Sequence, residues 1–452
     1  MPVSHPAADT DRVGGIELES EFEQTAVPAS HRKPLREVAA VWFGFPMILT
    51  NAVPGGVVVA LLGFWRGVAA ITVANVVMLV YVGLLSHRAG STGRSFALQA
   101  TQTFGRAGYV LASGFLATIV VGWFAFNTGA TGATINASFG WDKTLVILGA
   151  GALFIAVTFV GIRALSILGA IAAPLFIVVA VIALVIVAGD HDLGAVFSYG
   201  GVGGAAEGSL SFGAAVSLIM ATFADSGTMT ADFTRWSRNG REGVLAAATA
   251  FPVASMVAQL TGGVVVAAGA IAAPATDGGN FLPLLADGAG PLLSALAIVF
   301  VFVNLGSVCS HCLYNGAVSW SSIVGGRMRI LTLLLGIAGV GVALAGVWSH
   351  FLSWLVILSV FVPPIGAVLI ADQVLLRGAS ESRLVGAVRP TAFAAWAVGA
   401  GFAALVHYEA PQWSDAVVGL VTGAVAYLAI EAVAAQSRVT VARRVPDAVG
   451  AE

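Results

Sequence analysis

The sequence predicts an all-α integral membrane protein of twelve transmembrane helices, and three observations carry that expectation. Of the 452 residues, 58% are hydrophobic and 10% are Asp, Glu, Lys or Arg, against roughly 25% charged in a soluble domain, and the mean hydropathy is +0.93. Apolar runs close to the ~20 residues that cross a hydrocarbon core recur along the whole chain, as at 67–86, 145–161, 167–189 and 246–273. Read as spans, these runs sort Lys and Arg onto one side of the bilayer. A net charge of -2, with no basic patch interleaved with aromatics, argues against nucleic acid as a partner. The expected partners are the lipid bilayer and a small molecule, with no obligate protein partner evident.

Taken in order, residues 1–34 hold Asp9, Asp11, Glu17, Glu19, Glu21 and Glu23 with few large apolar residues, a composition that predicts a disordered cytoplasmic tail. No basic start, short apolar core and small-residue cleavage site precede the first span, which is therefore expected to be retained. The twelve spans are expected at 37–62, 68–86, 108–135, 143–161, 165–188, 210–231, 244–272, 289–315, 328–348, 352–372, 389–407 and 413–434. With the N-terminus inside, the basic residues from Arg32 to Arg444, among them Arg88, Arg163, Arg238, Arg327, Arg377, Arg383 and Arg389, face the cytoplasm. Only Arg66 and Lys143 fall outside, where the loops hold Asp190, Asp192, Asp277, Glu409 and Asp415. Both termini, including a tail at 437–452, are therefore expected in the cytoplasm.

The spans divide into two candidate repeats, 35–188 and 189–375, followed by two additional helices in 376–436. Gly44-Phe45-Pro46 interrupts span one and Asp225-Ser226-Gly227 interrupts span six; Pro174 in span five is matched by Pro363-Pro364 in span ten. Five spans per half invert the second repeat. Gly and Pro are common in membrane helices, but broken helices at corresponding positions of inverted halves point to a transporter site near the midplane.

Trp123 lies near the middle of span three, where a flat aromatic face suits a planar heterocycle, and Asn127 is one turn on along the same face. In span six, Phe223 offers a second aromatic face and Thr222 a hydroxyl, beside backbone that unwinding near Gly227 would free. Asp225 is an ionisable group at membrane depth, which is costly and usually functional; it suits proton exchange or acceptance of hydrogen bonds from a substrate amino group. Asn304, Ser307 and His311 share one face of span eight. Helix packing is the competing explanation for each of these residues. Asp232, Arg235, Asp372 and Glu431 sit at span ends and read as anchors or gates. Cys309 and Cys312 lie three residues apart, too far round a helix for a relaxed disulfide, and with His311 they fall short of a four-ligand metal site. No nucleophile and base pair stands out, so an enzyme is not expected.

Gly122-Trp123-Phe124, the segment 227–235 with Asn239 following, and Pro363-Pro364-Ile365-Gly366 through Ile370-Ala371-Asp372 resemble the nucleobase-cation symporter family of purine-cytosine permease type, and most of all its cytosine permease branch. The resemblance runs from about Arg32 to the twelfth span. It implies the LeuT-like five-plus-five inverted repeat with discontinuous helices 1 and 6 and two C-terminal helices, working by alternating access. It further implies a heterocycle held between Trp123 and Phe223, with Thr222, Asp225 and Cys309 as polar neighbours. Position 225 is similar to a serine in the cytosine permeases, and Val120 replaces an amide before the tryptophan, so the base-reading edge differs. The family's sodium site corresponds to carbonyls near Phe43 to Pro46 with Asn304 and Ser307, but Val308 stands where a second hydroxyl is expected. The expected function is therefore symport of a nucleobase such as cytosine, or a related planar ring, across a bacterial inner membrane. H+ is favoured over Na+ as coupling ion, through Asp225, and no other cofactor is expected. Alternative cargoes are hydroxymethylpyrimidine, allantoin- or hydantoin-like ureides and pyridoxine-like vitamins; a membrane sensor is the reading from a different class.

Overall fold

Inside a bilayer every backbone N–H and C=O must find a partner within the protein, so a long apolar chain crosses as helices. The computed structural model describes residues 11–13, 16–18, 20–202, 210–286, 290–376 and 386–444, and these are helical apart from connections and one small hairpin, β1 (Asp11–Val13) with β2 (Ile16–Leu18). The first half contains α1 (Leu35–Gly44), α2 (Leu49–Leu62), α3 (Phe64–Thr92), the short α4 (Phe96–Phe104), α5 (Tyr109–Phe139), α6 (Lys143–Val160) and α7 (Ile162–Asp190). Next come α8 (Phe212–Ala221), α9 (Ala224–Thr228), α10 (Ala231–Thr234), α11 (Gly240–Ala248), α12 (Ser255–Ala267), α13 (Pro274–Asp277) and α14 (Pro283–Ala286). The chain continues through α15 (Pro291–Val324), α16 (Met328–Leu344), α17 (Phe351–Ile370), α18 (Pro390–Glu409) and α19 (Asp415–Arg444).

Among the described residues, nine helices are long and apolar enough to cross a membrane, α11 and α12 counting as one; α1 and α2, bent by 56° at their break, make a tenth. The other two expected spans correspond to the shorter apolar helices α8 and α16. Local chemistry sets several boundaries. Asp142 caps α6 by accepting the Leu145 N–H and Asn239 caps α11 by accepting that of Glu242, while α15 stops on Gly325 at φ 70°, a conformation that glycine adopts without strain. Pro174 and Pro363-Pro364 lie inside α7 and α17 without ending them. Helices meet through small residues: a Cβ on Gly44 of α1 would collide with the backbone of Gly169 in α7.

Residues 20–33 depart from the disordered tail expected of them. Glu21 is 2% exposed; its Oε1 accepts the Ile162 N–H at 3.0 Å and its Oε2 the Tyr314 hydroxyl at 2.7 Å. Arg235 donates to the carbonyls of Glu21 and Phe22, both at 2.8 Å. Met328 N donates to Glu23 Oε1 at 2.9 Å, and Arg32 donates to Gly90 O and Ser237 O at 2.7 and 2.6 Å. The segment thus straps α7, α15 and α16 to α3 and α10. Composition missed it because polar bonds do much of the holding, with only Phe22 and Val27 packing against the core. Asp11 and Glu17 of the same arm lie in the hairpin. Asp9, Glu19, Arg377 and Arg383 lie outside the described residues, whereas α19 extends helix to Arg444, through much of the tail expected from 437.

Span-end charges also act as anchors. Arg389 holds Asp372 at 3.1 Å and Glu431 at 2.9 Å, joining the end of α17 to α18 and α19.

Burial pushes the Glu21 carboxyl above its ordinary 4.5, although Tyr314, the Ile162 N–H and the charges of Arg235 and Arg329 pull it back. A pKa raised by folding makes the protonated form the better guest. Glu21's contribution to stability is then complete below pH 4.5 and fades as pH rises through the raised value. Thermal unfolding of the detergent-purified protein should show a gain on acidification toward pH 4.5 that is missing in Glu21→Gln. Glu21→Ala, which removes the acceptor of the Tyr314 hydroxyl proton and of the Ile162 N–H, should cost about 1–3 kcal/mol.

Candidate functional site

The two halves of span one part after Gly44. Pro46 carries no N–H to satisfy there, Ile48 is extended at φ -132° and ψ 155°, and α2 restarts at Leu49. The groups freed by this break are met largely by α15. Asn304 donates through Nδ2 to Met47 O at 2.9 Å and accepts the Leu49 N–H on Oδ1 at 2.8 Å, while Ser307 Oγ donates to Gly44 O at 3.2 Å. Asn51 covers Pro46 O at 2.8 Å. Asn304, Ser307 and Pro46 therefore meet at the break as expected of neighbours, and both α15 side chains reach the break carbonyls as hydrogen-bond donors. Phe43 is the penultimate residue of α1, half-buried beside the break. His311 stacks on Phe45 with ring centroids 4.8 Å apart, and its Nδ1 lies 2.6 Å from Ser307 O.

Span six is interrupted on both sides of the expected segment. Phe223, at φ -138° and ψ 17°, separates α8 from α9, Met229, at φ -87° and ψ 14°, follows α9, and Asp225-Ser226-Gly227 lies in the short helical turn between them. Gly227 serves close packing instead: a Cβ there would lie 2.9 Å from Val82 Cγ2 of α3. Because α9 starts at Ala224, Asp225 sits in a helical first turn, its Oδ1 accepting the Ser226 N–H at 2.7 Å.

Between the two breaks, a cavity is lined by Phe45, Ile48, Thr50 and Asn51 from span one, Trp123 and Asn127 from α5, Thr222, Phe223 and Ser226 from span six, and Val308 and Cys312 from α15. Its free volume is about 10 Å³, room for no more than one water. Trp123, Asn127, Thr222 and Phe223 are thus brought together around one cavity. Asp225, the chain neighbour of the lining residue Ser226, is fully buried and is not itself among the lining residues. The Trp123 indole faces it and the Cys312 thiol is close by.

Cys309 departs from its expected place at the ring. It turns toward α5, with Sγ 3.7 Å from Phe124 O and 3.6 Å from Thr128 Oγ1, while Cys312 takes the cavity position. The side of α15 that carries Asn304 and Val308 is continued four residues on by Cys312, so helical spacing from Asn304 was the signal that separates the two cysteines. Thr50 and Asn51 were also missed; two polar residues in the first turn after a break are a readable signal. Asp232 and Arg235 are fully buried, with Asp232 Oδ1 accepting the Phe96 N–H at 2.9 Å.

Residues 26–428 match the model of the family described as permease for cytosine/purines, uracil, thiamine, allantoin. The cytosine permease of Escherichia coli (strain K12) is 30% identical over 363 residues, covering 79% of this chain and 82% of that relative. Among solved structures, Mhp1, a nucleobase-cation-symport-1 family transporter, in a closed conformation with bromovinylhydantoin bound, superposes with a TM-score of 0.77 at 18% identity, over 92% of this chain and 96% of that one. The inward-facing conformation of Mhp1 gives 0.71 at 19% identity, over 91% and 93%. A Na+-coupled sialic acid symporter in a substrate-bound outward-open state gives 0.68 at 13% identity, over 92% of each chain. The chain shares the fold of these proteins.

Replacing Asn304 by Ala leaves Met47 O and the Leu49 N–H without their buried partner. The variant should lose about 1–3 kcal/mol, read as a lowered thermal midpoint of the unliganded protein. Cys309→Ala, away from the cavity, should leave ligand-induced stabilisation intact.

Proposed function

The chain belongs to the family of permeases for cytosine/purines, uracil, thiamine and allantoin, and from that premise we propose that this membrane transporter is a proton-coupled symporter importing a nucleobase such as cytosine, or a related planar heterocycle. The observation that carries this reading is the cavity between two interrupted helices, with Trp123 and Phe223 in its lining. Rings stack favourably on such faces, and helix breaks at membrane depth are tolerated where they line a site. In this reading the ring contacts Trp123, Asn127, Thr222 and Phe223, with Asp225 reaching its edge and Cys312 in the place first assigned to Cys309. Twelve spans form two inverted repeats of five, 35–188 and 189–375, with two further helices in 376–436. Both termini face the cytoplasm of a bacterial cell, the strap closing the inner end.

Proton coupling is favoured by where donors and charge lie. The break carbonyls of Gly44 and Met47 already receive hydrogen bonds from Ser307 and Asn304, and Val308 is apolar, so a sodium ion would have to displace those donors and would gain few oxygens. Asp225, fully buried next to the lining residue Ser226, is the carboxylate suited to take up and release a proton.

In proteoliposomes, an acid-outside gradient without sodium should drive accumulation of a radiolabelled ring ligand, and Asp225→Asn should abolish it. A strict requirement for sodium would overturn proton coupling. Accumulation against a gradient also separates a transporter from a sensor. Thermal stabilisation of the purified protein by a nucleobase, ureide or pyrimidine vitamin should disappear in Trp123→Ala.

A further inference from the structure

The polar groups around the cavity are not evenly divided between donors and acceptors. The Trp123 carbonyl can only accept, so the 3.0 Å bond from Asn127 Nδ2 fixes which way the Asn127 amide points. That orientation turns Asn127 Oδ1 toward Thr50, whose hydroxyl must then be the donor at 2.9 Å. Thr222 likewise donates its one hydroxyl hydrogen to Ile219 O at 2.7 Å. Both threonines therefore retain lone pairs for a ligand and no proton. Asn51 is engaged on both sides, by Pro46 O and Ser255 Oγ and by the Gln259 amide.

Asp225 adds a charge of the same character. Oδ1 holds the Ser226 N–H, whereas Oδ2 is buried without a hydrogen-bond partner among the described residues. Among the described residues, no Lys, Arg or His lines the cavity. The Trp123 indole N–H faces Asp225 and the Ser226 hydroxyl faces the Cys312 thiol, so the lone pairs of Thr50 and Thr222 and the Asp225 carboxyl leave the site rich in acceptors beside its aromatic residues. A carboxylate is matched best by two parallel N–H groups. On a flat ring that pattern is an amidine edge: a protonated ring nitrogen beside an exocyclic amino group. An oxo ring sets a carbonyl oxygen where that amino group would be, so lone pairs face lone pairs and one buried carboxylate oxygen stays unpaired, the arrangement by which a hydrogen-bonding site rejects an analogue.

We propose that this cavity selects amino-substituted, protonatable nitrogen heterocycles over their oxo counterparts, with Asp225 as the specificity-determining residue and the lone pairs of Thr50 and Thr222 as its auxiliaries. The inference rests on the heterocycle-transporter reading and narrows its cargo. A ring entering as a cation neutralises Asp225 and brings its own proton, so selection and coupling fall on one group.

The test is binding by the purified full-length protein, followed by thermal shift and tryptophan quenching, to pairs of rings matched in shape: cytosine with uracil, adenine with hypoxanthine, and 4-amino-5-hydroxymethyl-2-methylpyrimidine with its 4-oxo analogue. In each pair that binds, the amino member should bind at least about tenfold tighter, and Asp225→Asn, which supplies an amide N–H, should erase or reverse that preference. Thr222→Val, which removes one acceptor at nearly constant shape, should weaken the amino member severalfold, and keeps the question answerable if Asp225→Asn fails to fold. Equal or tighter binding of the oxo members, lost in Trp123→Ala, would overturn the inference while leaving the stacking site standing. A preference unchanged in both variants would overturn it as well. No binding by either class would bring down the heterocycle reading and this inference together.

Discussion

The bond set on which the rest of the structure depends joins Asn304 and Ser307 of α15 to the backbone of the broken first span. A chain interrupted at membrane depth has no water to satisfy its freed carbonyls and amides, each of which would cost several kcal/mol unpaired. Asn304 answers with both ends of its amide, at 2.9 and 2.8 Å, and Ser307 takes Gly44 O. Without those partners the break would not be tolerated. Without the break, the first turn of α2 would not turn Thr50 toward α5 and Asn51 toward α12.

The second break is supported differently. Phe223 leaves the helix and its ring packs edge-on against Phe45, centroids 5.2 Å apart, so the irregular residues of the two spans touch. Below it, hydroxyls replace the missing regularity: Thr228 Oγ1 donates to Ala224 O at 2.6 Å and lies 2.5 Å from Tyr81 Oη, and Thr230 accepts the Trp42 indole N–H at 3.1 Å. These contacts tie span six to α3 and α1. They also explain why an aromatic residue occupies the kink: it supplies one wall of the cavity and a packing surface for the opposite break.

Much of this was legible in the sequence, and what was not has physical reasons. Apolar runs marked the long helices because a bilayer imposes length and hydrophobicity directly. Trp123 and Phe223 stood out because large aromatics at mid-span need a purpose. The expected break in span six was centred on a short helical turn because glycine is ambiguous: Gly227 reads as a point of unwinding, yet its missing side chain lets α9 approach Val82, and the irregular residues are Phe223 and Met229 on either side. Cys309 and Cys312 were confused because i and i+3 on a helix lie near one another, and only the facing of α15 separates them. The docked strap was invisible for a different reason. The partners of Glu21 are Ile162, Arg235 and Tyr314, and no local pattern reports contacts at such separations.

Magnitudes distinguish the polar contacts at the two ends of the bundle. At the strap end, Arg235 and Arg32 donate to backbone carbonyls at 2.6–2.8 Å, and hydrogen bonds from charged groups are worth about 1.5–3 kcal/mol each. At the far end, the start of α8 meets α19 through neutral groups: Ser217 and Ser414 hydroxyls 2.8 Å apart, the Ala416 N–H on Ser217 at 3.3 Å, and Ser211 on Pro411 O. Neutral bonds of this kind contribute about 0.5–1.5 kcal/mol each. The His407–Asp415 pair there joins α18 to α19 rather than to α8. Several charge-assisted bonds against a few neutral ones make the strap the stronger lock.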